Sequence, residues 1–187
     1  MADSTESSHQ ADEVLLDCPY TDSSHRPVVG ATRSGETQTL MSHTIEIQVE
    51  AKERLSCVDL TDELKRAIKD SGVVEGCAVA FCSHTTCALV INEWEEGVLE
   101  DLRARLDVLV PKDVYYAHDD FEKRTQNLQE DERVNGHAHV MQMLVGGTSH
   151  AIPVSSGDPV LGTWQRLFLL EFDEPKQRTI VLHVFGG

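Results

Sequence analysis

Residues 82–93 read C-S-H-T-T-C-A-L-V-I-N-E, and this stretch decides the fold that the sequence predicts. The apolar run 77–81 leads into it, and a second apolar run, 88–91, lies inside it. Short apolar runs rich in Val, Ile and Phe are typical of buried strands. The polar segment Ser83-His84-Thr85-Thr86 therefore lies between two predicted strands, where rigid elements can hold a functional side chain. A buried, hydrogen-bonded histidine at a strand bend is the alternative.

On the N-terminal side of this stretch, the sequence predicts one strand and one helix. Residues 43–50, H-T-I-E-I-Q-V-E, alternate apolar and polar side chains, which is typical of a half-buried strand. Residues 61–71 have an apolar stripe at helical spacing. We expect Thr61 or Asp59 to cap this helix and Gly72 to end it.

On the C-terminal side, the sequence predicts a second helix that Asn92 caps and Pro111 ends, with Glu93 in its first turn. Residues 112–134 are polar and too long for an ordinary connection, so they predict a binding loop, a lid or a disordered segment. The predicted buried stripe of the second helix is Val98, Leu102, Leu106 and Leu109.

The remaining sequence completes an α+β pattern. It predicts a third helix over about 137–144, a short strand over 151–154, and two longer strands over 161–172 and 179–185. The last two strands read as an antiparallel hairpin, and Trp164 reads as a core residue. The fold class is therefore α+β, with helices packed on a largely antiparallel sheet.

Composition and charge limit the domain organisation and the partners. Residues 1–40 are polar and acidic and predict a disordered tail, whereas residues 41–187 predict a single domain. The net charge of −16 argues against partners that are nucleic acids or anionic membranes. No signal sequence or membrane-spanning run is recognisable, and five cysteines without a CxxC pair fit a reducing compartment. These features predict a cytoplasmic protein.

Four of the nine histidines lie beside small or polar residues at the edges of apolar segments: His84, His118, His137 and His139. Three imidazoles and a water form a common open metal site. Residues two apart on a helix point in nearly opposite directions, so at most one of His137 and His139 should join such a site. The sequence has no HExxH spacing, and ordinary core or surface histidines remain the alternative.

Several separated motifs together are similar to one family, the YjbQ family. They are S-H-T-T-x-A-L-x-I-N-E, Y-x-H-D-D, N-G-H-A-H-V with L-V-G-G, I-P-V-x-x-G, L-G-T-W-Q and a terminal R-T-I-x-x-x-V-x-G. The resemblance extends from about Ser42 to Gly187. One departure is Lys176, which stands where the family often has an arginine.

The resemblance implies a compact α+β domain that assembles as a homotrimer and has a His-lined metal or anion pocket. It implies a secondary thiamine-phosphate synthase, which joins hydroxymethylpyrimidine diphosphate to thiazole phosphate and releases pyrophosphate. The alternatives are a trimeric metal- or small-anion-binding protein without catalysis, and a metal-dependent hydrolase.

The resemblance implies that His84, His118 and His139 line this pocket, and the interpretation as a synthase assigns roles to further residues. His84, His118 and His139 are expected to bind a divalent metal ion, Zn²⁺ or Mg²⁺, and Glu93 and His84 are expected to be catalytic. A small phosphorylated substrate is the expected partner. The residues expected to bind it are Thr85, Thr86, Asn92, Asn135, Gln165 and Arg178.

Overall fold

The structure is a computed structural model that describes residues 40–187, and the predicted tail before Leu40 lies outside this range. The described residues form an α+β fold with antiparallel sheets and three α-helices, which confirms the predicted fold class. The strands are β1 (Met41–Ala51), β2 (Cys57–Asp59), β3 (Gly76–Cys82), β4 (Cys87–Glu93), β5 (Ser149–Ser155), β6 (Asp158–Pro159), β7 (Gln165–Glu171) and β8 (Lys176–Gly186). The helices are α1 (Thr61–Ser71), α2 (Glu96–Leu109) and α3 (Gly136–Val145), with a short 3-10 helix at Ala117–Asp119.

The strands form two sheets, in which neighbouring strands are antiparallel. The five-stranded sheet has the order β1-β8-β3-β5-β6, and the three-stranded sheet has the order β2-β7-β4. The predicted hairpin between the last two strands is wrong, because β7 and β8 belong to different sheets. The chain also changes sheet between β3 and β4, so the 83–86 loop bridges the two sheets.

Two apolar clusters pack the helices against the sheets. The larger cluster includes Leu64 and Ile68 of α1, which are fully buried beside residues of both sheets. The smaller cluster packs Leu106 of α2 and Met141 of α3 against Phe172. Full burial of one such side chain contributes about 1.5–3 kcal/mol relative to exposure.

The boundaries of α1 agree with the prediction, but its cap differs. The N-cap residue is Leu60, and no side chain accepts a capping hydrogen bond there. Asp59 Oδ1 instead accepts from the backbone N–H of Thr61 at 2.9 Å, so the acidic group still satisfies a free donor at the helix start. Gly72 ends the helix with a φ of 71°, a left-handed conformation that glycine adopts without penalty.

The predicted start of α2 is wrong. The cap is Glu95, whose carboxylate accepts from the N–H groups of Gly97 and Val98 at 2.9 and 2.8 Å. Asn92 and Glu93 instead end β4, because that strand stays paired with β7 through its last residue. The later start also changes the buried face. Leu99 and Leu106 are buried, whereas Val98 and Leu109 of the predicted stripe are exposed.

The predicted long strand over 161–172 is shorter, and Trp164 is not a core residue. Gly162 and Gln165 form a turn in which the Gln165 N–H donates to the Gly162 carbonyl at 2.9 Å. This turn precedes β7 and leaves Trp164 72 % exposed. Trp94 instead makes an aromatic contact with the sheet, with its ring 5.4 Å from that of Phe168. Between residues 40 and 187, no helix is long and apolar enough to cross a membrane.

Candidate functional site

The 83–86 loop is anchored on β8 by two of its side chains. The backbone N–H of Thr179 donates to His84 Nε2 at 3.0 Å, and Arg178 Nη2 donates to Thr86 Oγ1 at 2.9 Å. When His84 is neutral, its proton is therefore on Nδ1. Burial, followed by the positive charge of Arg178, lowers the pKa of His84 and favours this neutral form.

Arg178 forms a buried ion pair with Glu171. Its Nε donates to Glu171 Oε2 at 2.6 Å, and its Nη2 donates to Oε1, so the contact is bidentate. Arg178 is 4 % exposed and Glu171 is fully buried. Burial opposes ionisation of the guanidinium, but its hydrogen bonds to Glu171 raise the pKa of Arg178. The arginine predicted to bind substrate is thus already engaged inside the protein.

Asp173 connects this ion pair to the start of α3. Its backbone N–H donates to Glu171 Oε1 at 2.9 Å, and its carboxylate accepts from Asn135 Nδ2 at 3.3 Å and from the Lys176 ammonium. A continuous series of polar contacts therefore extends from Thr86 to Asn135 through the buried end of β7.

Asp119 of the 3-10 helix caps α3. Its Oδ1 accepts from the backbone N–H groups of Asn135 and Gly136 at 3.0 and 2.9 Å. Asn135 makes no side-chain cap of its own. A negative carboxylate at a helix N-terminus is favourable, and here it also fixes the neighbouring His118 relative to α3.

The structure brings His118 and His139 together. Their ring centroids are 4.4 Å apart. His118 Nε2 lies 3.2 Å from Arg124 Nη1, which also donates to the His118 carbonyl at 3.2 Å. Burial, followed by the proximity of His118, lowers the pKa of His139. At neutral pH His139 is therefore an uncharged imidazole.

His137 has different surroundings from His139, although the two are on the same helix. It is 1 % exposed, and neither of its ring nitrogens has a hydrogen-bond partner among the described residues. Its ring lies 6.3 Å from that of Tyr116. Burial, followed by the charge of Arg54, lowers the pKa of His137, so it is held as a neutral core residue.

The other predicted site residues lie elsewhere. Glu93 pairs with Gln165 at the edge of the three-stranded sheet. Asn92 Oδ1 accepts from the Glu93 N–H at 2.8 Å, and Gln165 Oε1 accepts from the Gly162 N–H at 2.8 Å. Thr85 is exposed in the 83–86 loop. No hydrogen bond or ion pair within residues 40–187 joins Glu93 to His84, and Glu93 ends β4 instead of lying in the first turn of a helix as predicted.

A metal site is not assembled within the described part of the chain. Among residues 40–187, no group of three or more His, Cys, Asp or Glu side chains is arranged to hold a metal ion. His118 and His139 supply two imidazoles, but His84 Nε2 accepts from the backbone instead. The residues of one chain therefore do not fit the expected three-His site, and the divalent metal remains a prediction.

A cavity of about 530 Å³ opens beside His118 in the long polar loop. Its volume is in the range of small-molecule sites. Its lining residues are Tyr115, Ala117, His118, Lys123, Arg124, Thr125, Gln126 and Asn127. The lining contains two cationic side chains and an imidazole but no carboxylate.

Sequence reasoning missed several of these residues. Lys123 and Arg124 are adjacent in a segment that is otherwise mostly acidic, and this local reversal of charge was a usable signal. Glu171 is the last residue of an apolar strand and Asp173 lies just beyond it, where acidic side chains are usually exposed. Nothing in the spacing of these residues indicates that Arg178 pairs with Glu171, because the contact depends on how β7 and β8 are placed in the folded chain.

Comparisons with known proteins agree with the fold and the motifs. A family model described as UPF0047 protein YjbQ-like matches residues 45–187. A UPF0047 protein of Archaeoglobus fulgidus is 36 % identical over 138 residues, which cover 74 % of this chain and 98 % of that protein. The UPF0047 protein YugU of Bacillus subtilis is 30 % identical over 141 residues, which cover 75 % and 97 %.

Solved structures show the same architecture. A YbjQ-like protein of unknown function from Sulfolobus solfataricus P2 matches with a TM-score of 0.69 at 29 % identity, covering 80 % of this chain and all of that chain. An uncharacterised conserved protein from Clostridium acetobutylicum, described as of the yjbq/upf0047 family, matches with a TM-score of 0.64 at 34 % identity, covering 75 % and 98 %.

These matches correct the expected function. The thiamine-phosphate synthase activity is wrong as an inference from the family, because the matched proteins have names that assign no activity. The transferase and thiamine-biosynthesis roles are unsupported with it.

Proposed function

The chain belongs to the YjbQ-like UPF0047 family, and from that premise we propose that it binds a small phosphorylated molecule in the cavity beside His118. The observation that carries the proposal is the charge of the cavity lining. The whole chain has 32 acidic residues against 16 basic ones, yet this lining includes Lys123 and Arg124 and no acidic residue. A phosphate group is attracted to such a local reversal of charge.

Arg124 lines the cavity and holds the surrounding loop in place. It donates to the backbone carbonyls of His118, Gln126 and Asn127 and forms an ion pair with Glu132. These contacts fold the loop around the guanidinium, so Arg124 supplies positive charge from a fixed position. A positioned charge costs little ordering entropy when an anion binds.

Lys123 is the exposed cation of the site. Its ammonium pairs with Asp120 at 2.6 Å, but its side chain is 77 % exposed. Exposed ion pairs contribute only about 0–1 kcal/mol, so an incoming phosphate can recruit Lys123 at little cost. The ammonium then acts as a point charge for phosphate oxygens.

His118 and His139 provide polar contacts at the inner side of the site. His118 lines the cavity, and His139 lies behind it with a ring-to-ring distance of 4.4 Å. Imidazole nitrogens form hydrogen bonds, which suits the hydroxyl and ester oxygens of a phosphorylated metabolite. This pair therefore supports recognition of the part of the molecule next to the phosphate.

Calorimetric titration of the full chain with inorganic phosphate and a panel of phosphomonoesters tests the proposal. We expect saturable binding and at least about tenfold weaker binding for Lys123→Glu, since hydrogen bonds to charged groups contribute about 1.5–3 kcal/mol. Lys65→Glu is the matched control, because it makes the same charge change at an exposed position on α1. Absence of saturable binding, or equal weakening by both variants, would contradict the proposal.

We also propose that the chain assembles as a homotrimer. Large apolar side chains exposed on α2 and on α3 support a subunit interface, because their burial between subunits would be favourable. They include Val108, Leu109, Met143 and Leu144. Light scattering at micromolar concentration should give three times the chain mass of 20.8 kDa, and a single-chain mass would refute the trimer.

We place the protein in the cytoplasm. The four cysteines within residues 40–187 are free thiols, which supports a reducing compartment. Fractionation of the source cells would test this location, and recovery in an extracellular fraction would contradict it.

A further inference from the structure

The thiols of Cys82 and Cys87 face each other inside the protein. Their Sγ atoms are 3.4 Å apart, and both side chains are fully buried. Cys82 is the last residue of β3 and Cys87 is the first residue of β4. The pair therefore closes the base of the 83–86 loop at the point where the chain passes from one sheet to the other.

We propose that Cys82 and Cys87 form a reversible disulfide and make the 83–86 loop a site of oxidative modification. A disulfide requires an S–S distance of about 2.05 Å, so the two sulfurs have to approach by about 1.4 Å. The two residues are only five apart in the chain, so the bond would close a short loop. The inference is independent of the proposed phosphate binding.

The bond would join elements that the hydrogen-bond ladders leave separate. β3 belongs to the five-stranded sheet, and β4 belongs to the three-stranded sheet. A covalent link between them would brace a loop whose His84 contacts the Thr179 backbone and whose Thr86 contacts Arg178. Oxidation would thereby restrict the loop that carries the most distinctive motif of the sequence.

Hydrogen peroxide is the oxidant that we infer, because it is small enough to reach a buried pair during a local opening of the fold. One thiolate attacks a peroxide oxygen, the O–O bond breaks, and a sulfenic acid and one water form. The other thiol then attacks that sulfur, the S–O bond breaks, and a second water leaves. The two thiols lose two electrons and two protons, and one peroxide becomes two waters.

Sequence positions make the product easy to detect. Trypsin cleaves after Lys69 and Arg103, and no Lys or Arg lies between them, so both sulfurs remain in the peptide 70–103. A full-length chain with Cys18, Cys57 and Cys77 replaced by serine leaves only the proposed pair. After exposure of the folded chain to millimolar peroxide, we expect this peptide to be 2 Da lighter and to regain that mass on reduction.

The matched control is the same chain with Cys87→Ser added, which keeps Cys82 but removes its partner. That control should gain oxygen instead of losing 2 Da. The unsubstituted chain, mapped by fragmentation of the same peptide, tests the pairing if the serine background fails to fold. Two thiols that remain alkylatable after treatment, or oxygen addition without loss of 2 Da in the paired chain, would overturn the proposal.

Discussion

Arg178→Met tests how strongly the buried ion pair supports the fold. The variant leaves the Glu171 carboxylate fully buried with no counter-charge, and its remaining donor is the Asp173 N–H at 2.9 Å. Thr86 Oγ1 loses its arginine donor at the same time. Removal of one partner from a buried pair costs about 3–5 kcal/mol, because an uncompensated charge stays in the interior.

Urea-induced unfolding at pH 7, followed by circular dichroism, measures this cost. We expect the free energy of unfolding to fall by about 3–5 kcal/mol in Arg178→Met. In a chain of 187 residues, each kcal/mol lowers the melting temperature by about 2–4 °C, so the expected decrease is roughly 6–20 °C. The secondary structure before unfolding should resemble that of the wild type.

Two further variants show whether burial is the cause. Glu174→Gln breaks the Arg133–Glu174 ion pair, whose side chains are half exposed, and should change the free energy of unfolding by less than about 1 kcal/mol. The double variant Glu171→Leu with Arg178→Met removes both charges and should recover most of the loss. A cost below about 1 kcal/mol for Arg178→Met, or no recovery in the double variant, would refute this reasoning.

Three other expectations follow from local geometry. Burial lowers the pKa of His84, His137 and His139, so the unfolded state binds more protons than the folded state as the pH falls through about 6.5. Urea titrations should therefore show a lower free energy of unfolding at pH 5.5 than at pH 7.5, and an equal or higher value would contradict this. Gly147→Ala should lower the melting temperature far more than Gly146→Ala. Both glycines have positive φ, but only at Gly147 would an added Cβ lie 1.9 Å from the Leu89 carbonyl oxygen. Asp119→Ala should cost about 1 kcal/mol in chemical unfolding through loss of the α3 cap, and Asp113→Ala, at an exposed position, should cost almost nothing.

Local sequence signals predicted individual helices and strands better than the pairing of strands in the sheets. The alternation in 43–50 and the stop at Gly72 depend on neighbouring residues, and both correspond to observed features of β1 and α1. The pairing of β7 and β8 failed because a short connection favours a hairpin, whereas these strands enter different sheets. Strand pairing is decided by tertiary packing, which a single sequence does not display.

In the candidate site too, local motifs identified some residues correctly, whereas positions that depend on strand pairing were predicted wrongly. The motifs singled out His118 and His139, which the structure places side by side. The position of Glu93 was misjudged because Asn92 is a good capping residue, but Glu95 offers two capping hydrogen bonds three residues later. The sequence correctly indicates that a side chain caps α2, but it does not indicate which one, because the end of β4 is fixed by pairing with β7.

The order of strands in the five-stranded sheet has a consequence for biosynthesis. β8 lies between β1 and β3 and pairs with both, with Met41 opposite Gly186. A ribosome makes β8 after β1 and β3, so the two flanking strands cannot be joined until β8 has left the exit tunnel. During translation β1 and β3 each have an unpaired edge, which is the kind of surface that chaperones protect. The five-stranded sheet can therefore be completed only after β8 has been made.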